Sequence, residues 1–180
     1  MKRLSKILVP TDLSEKSVRA LHYGCWLAAE DKAALVILHV ANGLNAWELY
    51  CEDLAIVGLD SKPWPLDRVL AEASLDLTRY LEPHLNKLSS IPAATKRVVL
   101  GSVTQQILTV AEEERADLIV MSSGRRRALK HLLGGVTERV TRLSPCPVLS
   151  ITMPLPSKPW RGKTKSLLFG WPRQTAADVG

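Results

Sequence analysis

Short apolar runs alternate along this chain with longer stretches in which apolar side chains return every three or four positions. Residues 6–10 (KILVP) are apolar and β-branched and close on a proline, which predicts a buried strand. Residues 11–14 read as a turn. From Glu15 onward Val18, Leu21, Cys25 and Ala28 recur at helical spacing, with Ala20, Leu27 and Ala29 widening the stripe, so an amphipathic helix is expected to end near Asp31. The same alternation predicts a strand over 35–40 (LVILHV), a long helix over 66–88, a strand over 96–100, a helix over 102–114 and a strand over 117–121 (DLIVM). After a glycine-containing loop come a helix over 136–143 and a last strand over 147–151 (PVLSI).

Strands that are apolar along their whole length and separated by helices call for a parallel sheet covered on both faces. The expectation is a doubly wound α/β domain over residues 2–152, followed by an extension over 153–180. Ligands of such sheets sit beyond the carboxyl ends of the strands, where the winding reverses. The loops after the strands are therefore where function is sought.

Composition narrows the classes. With 180 residues, 46% hydrophobic and 23% charged, the chain can bury a sizeable core, which excludes global disorder. No apolar run approaches the length of a membrane span, and the first residues turn polar too soon for a signal peptide, so a cytoplasmic protein is expected. Cys25, Cys51 and Cys146 form no C-x-x-C pair and make no set with the histidines at the spacings of a metal site, which argues against disulfide and zinc frameworks. The net charge of +6 is concentrated in the extension, where Lys158, Arg161, Lys163, Lys165 and Arg173 face only Asp178. A groove reader of DNA carries its charge on a folded face, so no specific nucleic-acid partner is expected.

Catalytic apparatus is not visible. No H-E-x-x-H, G-x-S-x-G or complete P-loop occurs, and no nucleophile can be set beside a base. Cys146 lies between two prolines and reads as a packed residue entering the last strand. Residues 44–65 are too long and too apolar for an idle connection: Trp47, Leu49, Tyr50, Leu54, Ile56, Val57, Leu59 and Trp64 fit a lid over the strand ends, a partner surface, or simple burial against the neighbouring helix. The proline-rich extension sets Lys163 and Lys165 beside Leu167, Leu168, Phe169 and Trp171, an arrangement suited to weak contact with an anionic membrane surface or a partner protein, or to an inert tail.

Three stretches carry a resemblance. KILVPTDLSE at the start, ADLIVMSS in the middle and LLGGVTERVTRLSPCPVLSI near the end make residues 3–151 resemble the universal stress protein family. The last is the most specific, with Gly134, Val136, Glu138, Arg139, Val140 and the run from Pro145 to Leu149 in the family's order. The resemblance implies a Rossmann-like, five-stranded parallel sheet ordered 3-2-1-4-5 and a homodimer paired through the last strand. It also implies ATP with magnesium as the ligand of those members that bind nucleotide, with at most slow ATP hydrolysis.

Nucleotide-binding members carry Gly, two residues, Gly, nine residues, then Gly followed by Ser or Thr. Such glycines let backbone N–H groups approach phosphate oxygens, and the following helix presents its positive dipole end. Here Gly124 and Gly134 have the nine-residue spacing, Met121 stands three residues before Gly124 where the first glycine belongs, or Ser122 takes that place if the loop is one residue shorter, and Gly135 replaces the hydroxyl residue. Arg125, Arg126, Arg127, Lys130 and His131 crowd the same loop, either to hold phosphate or merely as solvated charge. The implied site comprises Pro10, Thr11, Asp12, Val40, Ser122, Gly124, Arg125, Arg126, Gly134, Gly135 and Val136. Asp12 matches a contact to the adenosine part and Val40 a backbone contact to adenine; equally, Asp12 or Ser14 is a helix N-cap and Val40 a buried strand residue. Gly101 reads as a turn or as a point of close ligand approach. Three alternatives stay open: a partner-binding protein that has lost ATP, an enzyme acting on adenine nucleotides, and a membrane-surface adaptor.

Overall fold

The computed structural model describes residues 3–41, 66–123 and 135–152; the expectations for 44–65, for the loop 124–134 and for 153–180 lie outside the described residues. Strands β1 (Lys6–Thr11), β2 (Ala34–Ala41), β3 (Ala93–Leu100), β4 (Leu118–Ser123) and β5 (Val148–Thr152) form one parallel sheet in the order β3-β2-β1-β4-β5. Helices α1 (Glu15–Asp31), α2 (Leu66–Leu81), α3 (Leu85–Leu88), α4 (Val103–Glu113) and α5 (Val136–Leu143) lie between them. This is the doubly wound α/β arrangement. No helix among the described residues is long and apolar enough to cross a membrane.

Alternation along the strands builds two cores from one sheet. Ile7, Val9, Leu35, Ile37 and Val120 pack on one face with Ala20, Leu21, Cys25 and Ala28 of α1 and Leu77 and Leu81 of α2. Leu8, Val36, Leu38, Val40, Ile119 and Met121 pack on the other with Ile107, Val110 and Ala111 of α4 and Val140 of α5. Central strand β1 is buried on both sides, which is why its sequence shows no polar alternation.

Three boundaries differ from the sequence expectation. The long helix over 66–88 is interrupted by a 3-10 turn at Glu82–His84, because Pro83 lacks the N–H that an α-helix would use there. Strand β3 begins at Ala93 rather than 96, its first residues being exposed edge positions. Strand β4 continues through Ser122 and Ser123, which pair with Ile151 and Thr152, so these serines belong to the strand and not to the loop.

The 3-10 turn brings two distant histidines together. The ring nitrogens His22 Nε2 and His84 Nδ1 lie 3.2 Å apart, a contact in which one imidazole donates and the other accepts. Burial pulls the His22 pKa down to about 4, assisted by the Lys87 ammonium and by His84; burial and Lys87 also lower that of His84. A depressed imidazole pKa means the unfolded chain takes up more protons between roughly pH 6.5 and 4, so stability is full above that window and falls as the solution is acidified through it. His22 is only partly buried, which holds the expected loss to about 1 kcal/mol. Thermal melts at neutral and acid pH are expected to show this decline in the native protein and a smaller one in His22→Phe; equal pH dependence in both would remove His22 as the cause.

Candidate functional site

Strands β1 and β4 are neighbours across the point where the winding reverses. Yet their ladder runs only over Ile7↔Leu118 and Leu8↔Ile119, while β1 remains paired to β2 as far as Thr11↔His39 and β4 to β5 as far as Ser123↔Thr152. Beyond Leu8 and Ile119 no register pair joins the two central strands. A crevice at their carboxyl ends is where a doubly wound sheet takes its ligands.

One wall is the turn from β1 into α1. Thr11 is buried, and its Oγ1 accepts the Leu13 N–H at 3.0 Å, helping to hold Leu13 at φ 60°, in the left-handed region. Thr11 Oγ1 and Ser17 Oγ are 2.8 Å apart, and Ser17 Oγ also meets the Tyr80 hydroxyl at 2.9 Å and donates to the Ser14 carbonyl at 2.7 Å. Because Ser17 spends its one proton on that carbonyl, Thr11 and Tyr80 must both donate to Ser17. The turn is thereby fastened to α1 and to α2 by one directed network.

Asp12 stands exposed at the tip of the strand. Its Oδ1 accepts the Ser14 N–H at 3.1 Å and the Ser14 hydroxyl at 2.6 Å. Burial alone would raise its pKa, but the Ser14 hydroxyl and N–H, with Ser17, more than offset this and hold the carboxyl below its usual range. The N-cap position of α1 belongs to Ser14, and neither serine nor aspartate caps the helix through its side chain: Ser14 makes no side-chain capping bond, and Asp12 bonds Ser14 itself. Of the two residues read as the N-cap, Ser14 takes that position, without the side-chain bond to a helix N–H, and Asp12 does not.

On the β2 side Val40 is buried in the second core, and neighbouring His39 contacts the Thr11 carbonyl through Nδ1 at 3.1 Å. A carbonyl only accepts, so Nδ1 carries the proton. On the β4 side Met121 is a core residue, Ser122 follows it within the strand, and the Ser122 carbonyl accepts the Thr137 hydroxyl at 3.0 Å, tying the strand end to the first turn of α5. Helix α5 starts from Gly135, whose φ of −59° and ψ of 175° suit any residue and beside which a Cβ would meet nothing within 4 Å among the described residues. Gly101 has φ +133°, and a Cβ there would come within 3.1 Å of the Gln106 amide nitrogen, so it serves the turn from β3 into α4.

The fold thus places Pro10, Thr11 and Asp12, Val40, Ser122, and Gly135 with Val136 on the strand ends and helix start around the crevice. Gly124, Arg125, Arg126 and Gly134 lie outside the described residues. Ser17, Tyr80 and His39 were not singled out in the sequence, since hydroxyls and a lone imidazole far apart along the chain leave no spacing signal.

Comparison with known proteins agrees with this architecture. The universal stress protein family matches residues 4–48 and 55–151. The universal stress protein YxiE of Bacillus subtilis is 31% identical over 150 residues, spanning 82% of this chain and 98% of the relative. Protein MJ0577 of Methanocaldococcus jannaschii, described at its structure determination as a test case for assigning biochemical function, matches with a TM-score of 0.63 and 25% identity over 85% of this chain and 99% of its own. A universal stress protein solved in complex with cAMP shares the fold, with a TM-score of 0.56 and 24% identity over 84% of this chain and 98% of its own. With the family model matching nearly the whole α/β region and the fold shared with solved members, this chain belongs to the universal stress protein family.

Proposed function

We propose that the protein is a regulatory binding module of the cytoplasm that takes an adenine nucleotide, ATP with magnesium, in the crevice between β1 and β4. The parting of these strands after Leu8 and Ile119 is the observation that carries the reading. An ionised Asp12 on one side suits a ribose hydroxyl, and the start of α5 on the other offers N–H groups and a positive dipole end to phosphate. The sequence adds Gly124, Gly134 and the arginines Arg125, Arg126 and Arg127 in the stretch that links β4 to α5. A protein of the same fold was solved with cAMP. Among the described residues no group of three or more His, Cys, Asp or Glu could hold a metal ion, so magnesium is read as arriving on the phosphates.

Two substitutions divide the site. Asp12→Ala is expected to weaken adenosine and ATP alike by about tenfold, the worth of a hydrogen bond to a charged group. Changing Arg125, Arg126 and Arg127 together to alanine is expected to weaken ATP by at least about tenfold and leave adenosine unchanged. Equal losses for both ligands in the triple variant would remove the arginines from the phosphate role; unchanged affinities in Asp12→Ala would displace the adenosine end.

The second reading is a universal stress protein that works through protein contacts alone. Met121, in the core where the family's nucleotide pattern begins with glycine, and Gly135 in place of a hydroxyl residue favour it. In either case we read the working form as a homodimer: β5 is an edge strand, and pairing its outer side with a second copy would cover backbone groups otherwise left at the sheet margin.

A further inference from the structure

Away from the strand ends, α1 and the segment from α3 to Ser90 border an open surface pocket of about 330 Å³ lined by His22, Cys25, Trp26, Ala29, Asn86, Lys87 and Ser90. Its size lies at the lower end of small-molecule sites. The lining is divided. Cys25 and Ala29 form an apolar wall beside Trp26, which is 44% exposed, whereas Lys87 and Asn86 supply a cation and an amide, the Ser90 hydroxyl being donated to the Lys87 carbonyl at 2.9 Å. Burial raises the Cys25 thiol to about 11, so it contributes no negative charge near neutrality. Among the described residues Lys87 has no ion-pair partner. A cation without a carboxylate beside an exposed indole face is suited to an anion carrying a flat apolar body.

We propose that this pocket binds a small planar organic monocarboxylate, its carboxylate on the Lys87 ammonium and the Asn86 amide, and its ring on Trp26 and the Ala29–Cys25 wall. Binding of this kind is coupled to protonation. The groups facing the His22–His84 pair are Lys87 from α3, Cys25 from α1 itself and Tyr80 from α2, whose ring lies 6.0 Å from that of His84. None is anionic near neutral pH, so a bound carboxylate would be the first negative charge beside the pair. It would ease protonation of the imidazoles, and by reciprocity acid would strengthen its binding.

The test titrates the full chain with sodium benzoate by calorimetry and follows the histidine ring protons by NMR. Saturable millimolar binding is expected, weaker by about tenfold for the neutral benzamide and for Lys87→Met, the worth of one charge-assisted hydrogen bond. Lys87 and Trp26 are exposed, so Lys87→Gln and Trp26→Ala serve as second variants and should lose affinity too, while Asp12→Ala should retain it and so separate this pocket from the nucleotide site. Benzoate should also raise the titration midpoints of His22 and His84. Absence of saturation, equal binding of benzamide, undiminished binding in the Lys87 variants, or unmoved His22 and His84 midpoints would each overturn the proposal.

Discussion

Gly135→Asp is expected to leave the fold intact while weakening ATP binding by at least about tenfold, a separation that few positions in the chain offer. The backbone at Gly135 lies outside the left-handed region, and a Cβ there meets nothing within 4 Å among the described residues, so substitution introduces no backbone strain and no clash with them. Aspartate is also a better N-cap than glycine by a few tenths of a kcal/mol, so α5 should be held at least as well. Its carboxylate would stand at the same N–H groups that the proposal assigns to phosphate, and Glu138 already puts one negative charge in that first turn. Thermal melting should therefore match the native protein while the ATP isotherm weakens. Native ATP affinity in a folded Gly135→Asp protein would mean that phosphate does not reach the start of α5.

Gly24→Val carries the largest expected effect on stability, a loss of about 3 kcal/mol. A Cβ at Gly24 would lie 2.5 Å from Val9 Cγ2, with Leu35 Cδ1 at 3.6 Å, and both Val9 and Leu35 are fully buried. Val9 is β-branched and fixed in the central strand, so its methyl cannot swing aside as the end of a long side chain would. Gly24→Ala should cost less, about 1 to 2 kcal/mol, because alanine recovers about 1 kcal/mol of helix propensity against the same contact. Urea unfolding should show a lowered midpoint at constant slope. A Gly24→Val protein as stable as the native one would mean that α1 can lift from β1 and β2 without penalty.

Gly24 also shows why the sequence was only partly readable. In the helical pattern it is a mid-helix glycine with no evident purpose, and only the 2.5 Å approach of Val9 explains it. The strands and their order were legible because most carry a short apolar run, even β3 ending on Val98, Val99 and Leu100, in a chain that resembles a known family. Their ends were less so: Thr11, Ser122 and Ser123 are polar, and nothing in local periodicity shows that they continue a ladder. The break at Pro83 was signalled by the proline itself, yet the apolar stripe on either side concealed it.

The candidate site divides in the same way. Asp12, Val40 and the start of α5 were marked by family motifs, and the fold sets them around the parting of β1 and β4. The network from Thr11 through Ser17 to Tyr80 was invisible, because its members are 63 positions apart at the widest step and hydroxyls at that range leave no pattern. His22 and His84 are likewise 62 positions apart and meet only because the chain turns at Pro83.

The central claim is that an adenine nucleotide occupies the crevice between β1 and β4, and calorimetric titration of the nucleotide-stripped protein with ATP and magnesium tests it most directly. The account predicts saturable binding near micromolar, worth about 8 kcal/mol. A folded protein that takes up no heat of binding as ATP is raised to millimolar concentration would contradict it, and would leave the protein-contact reading in its place.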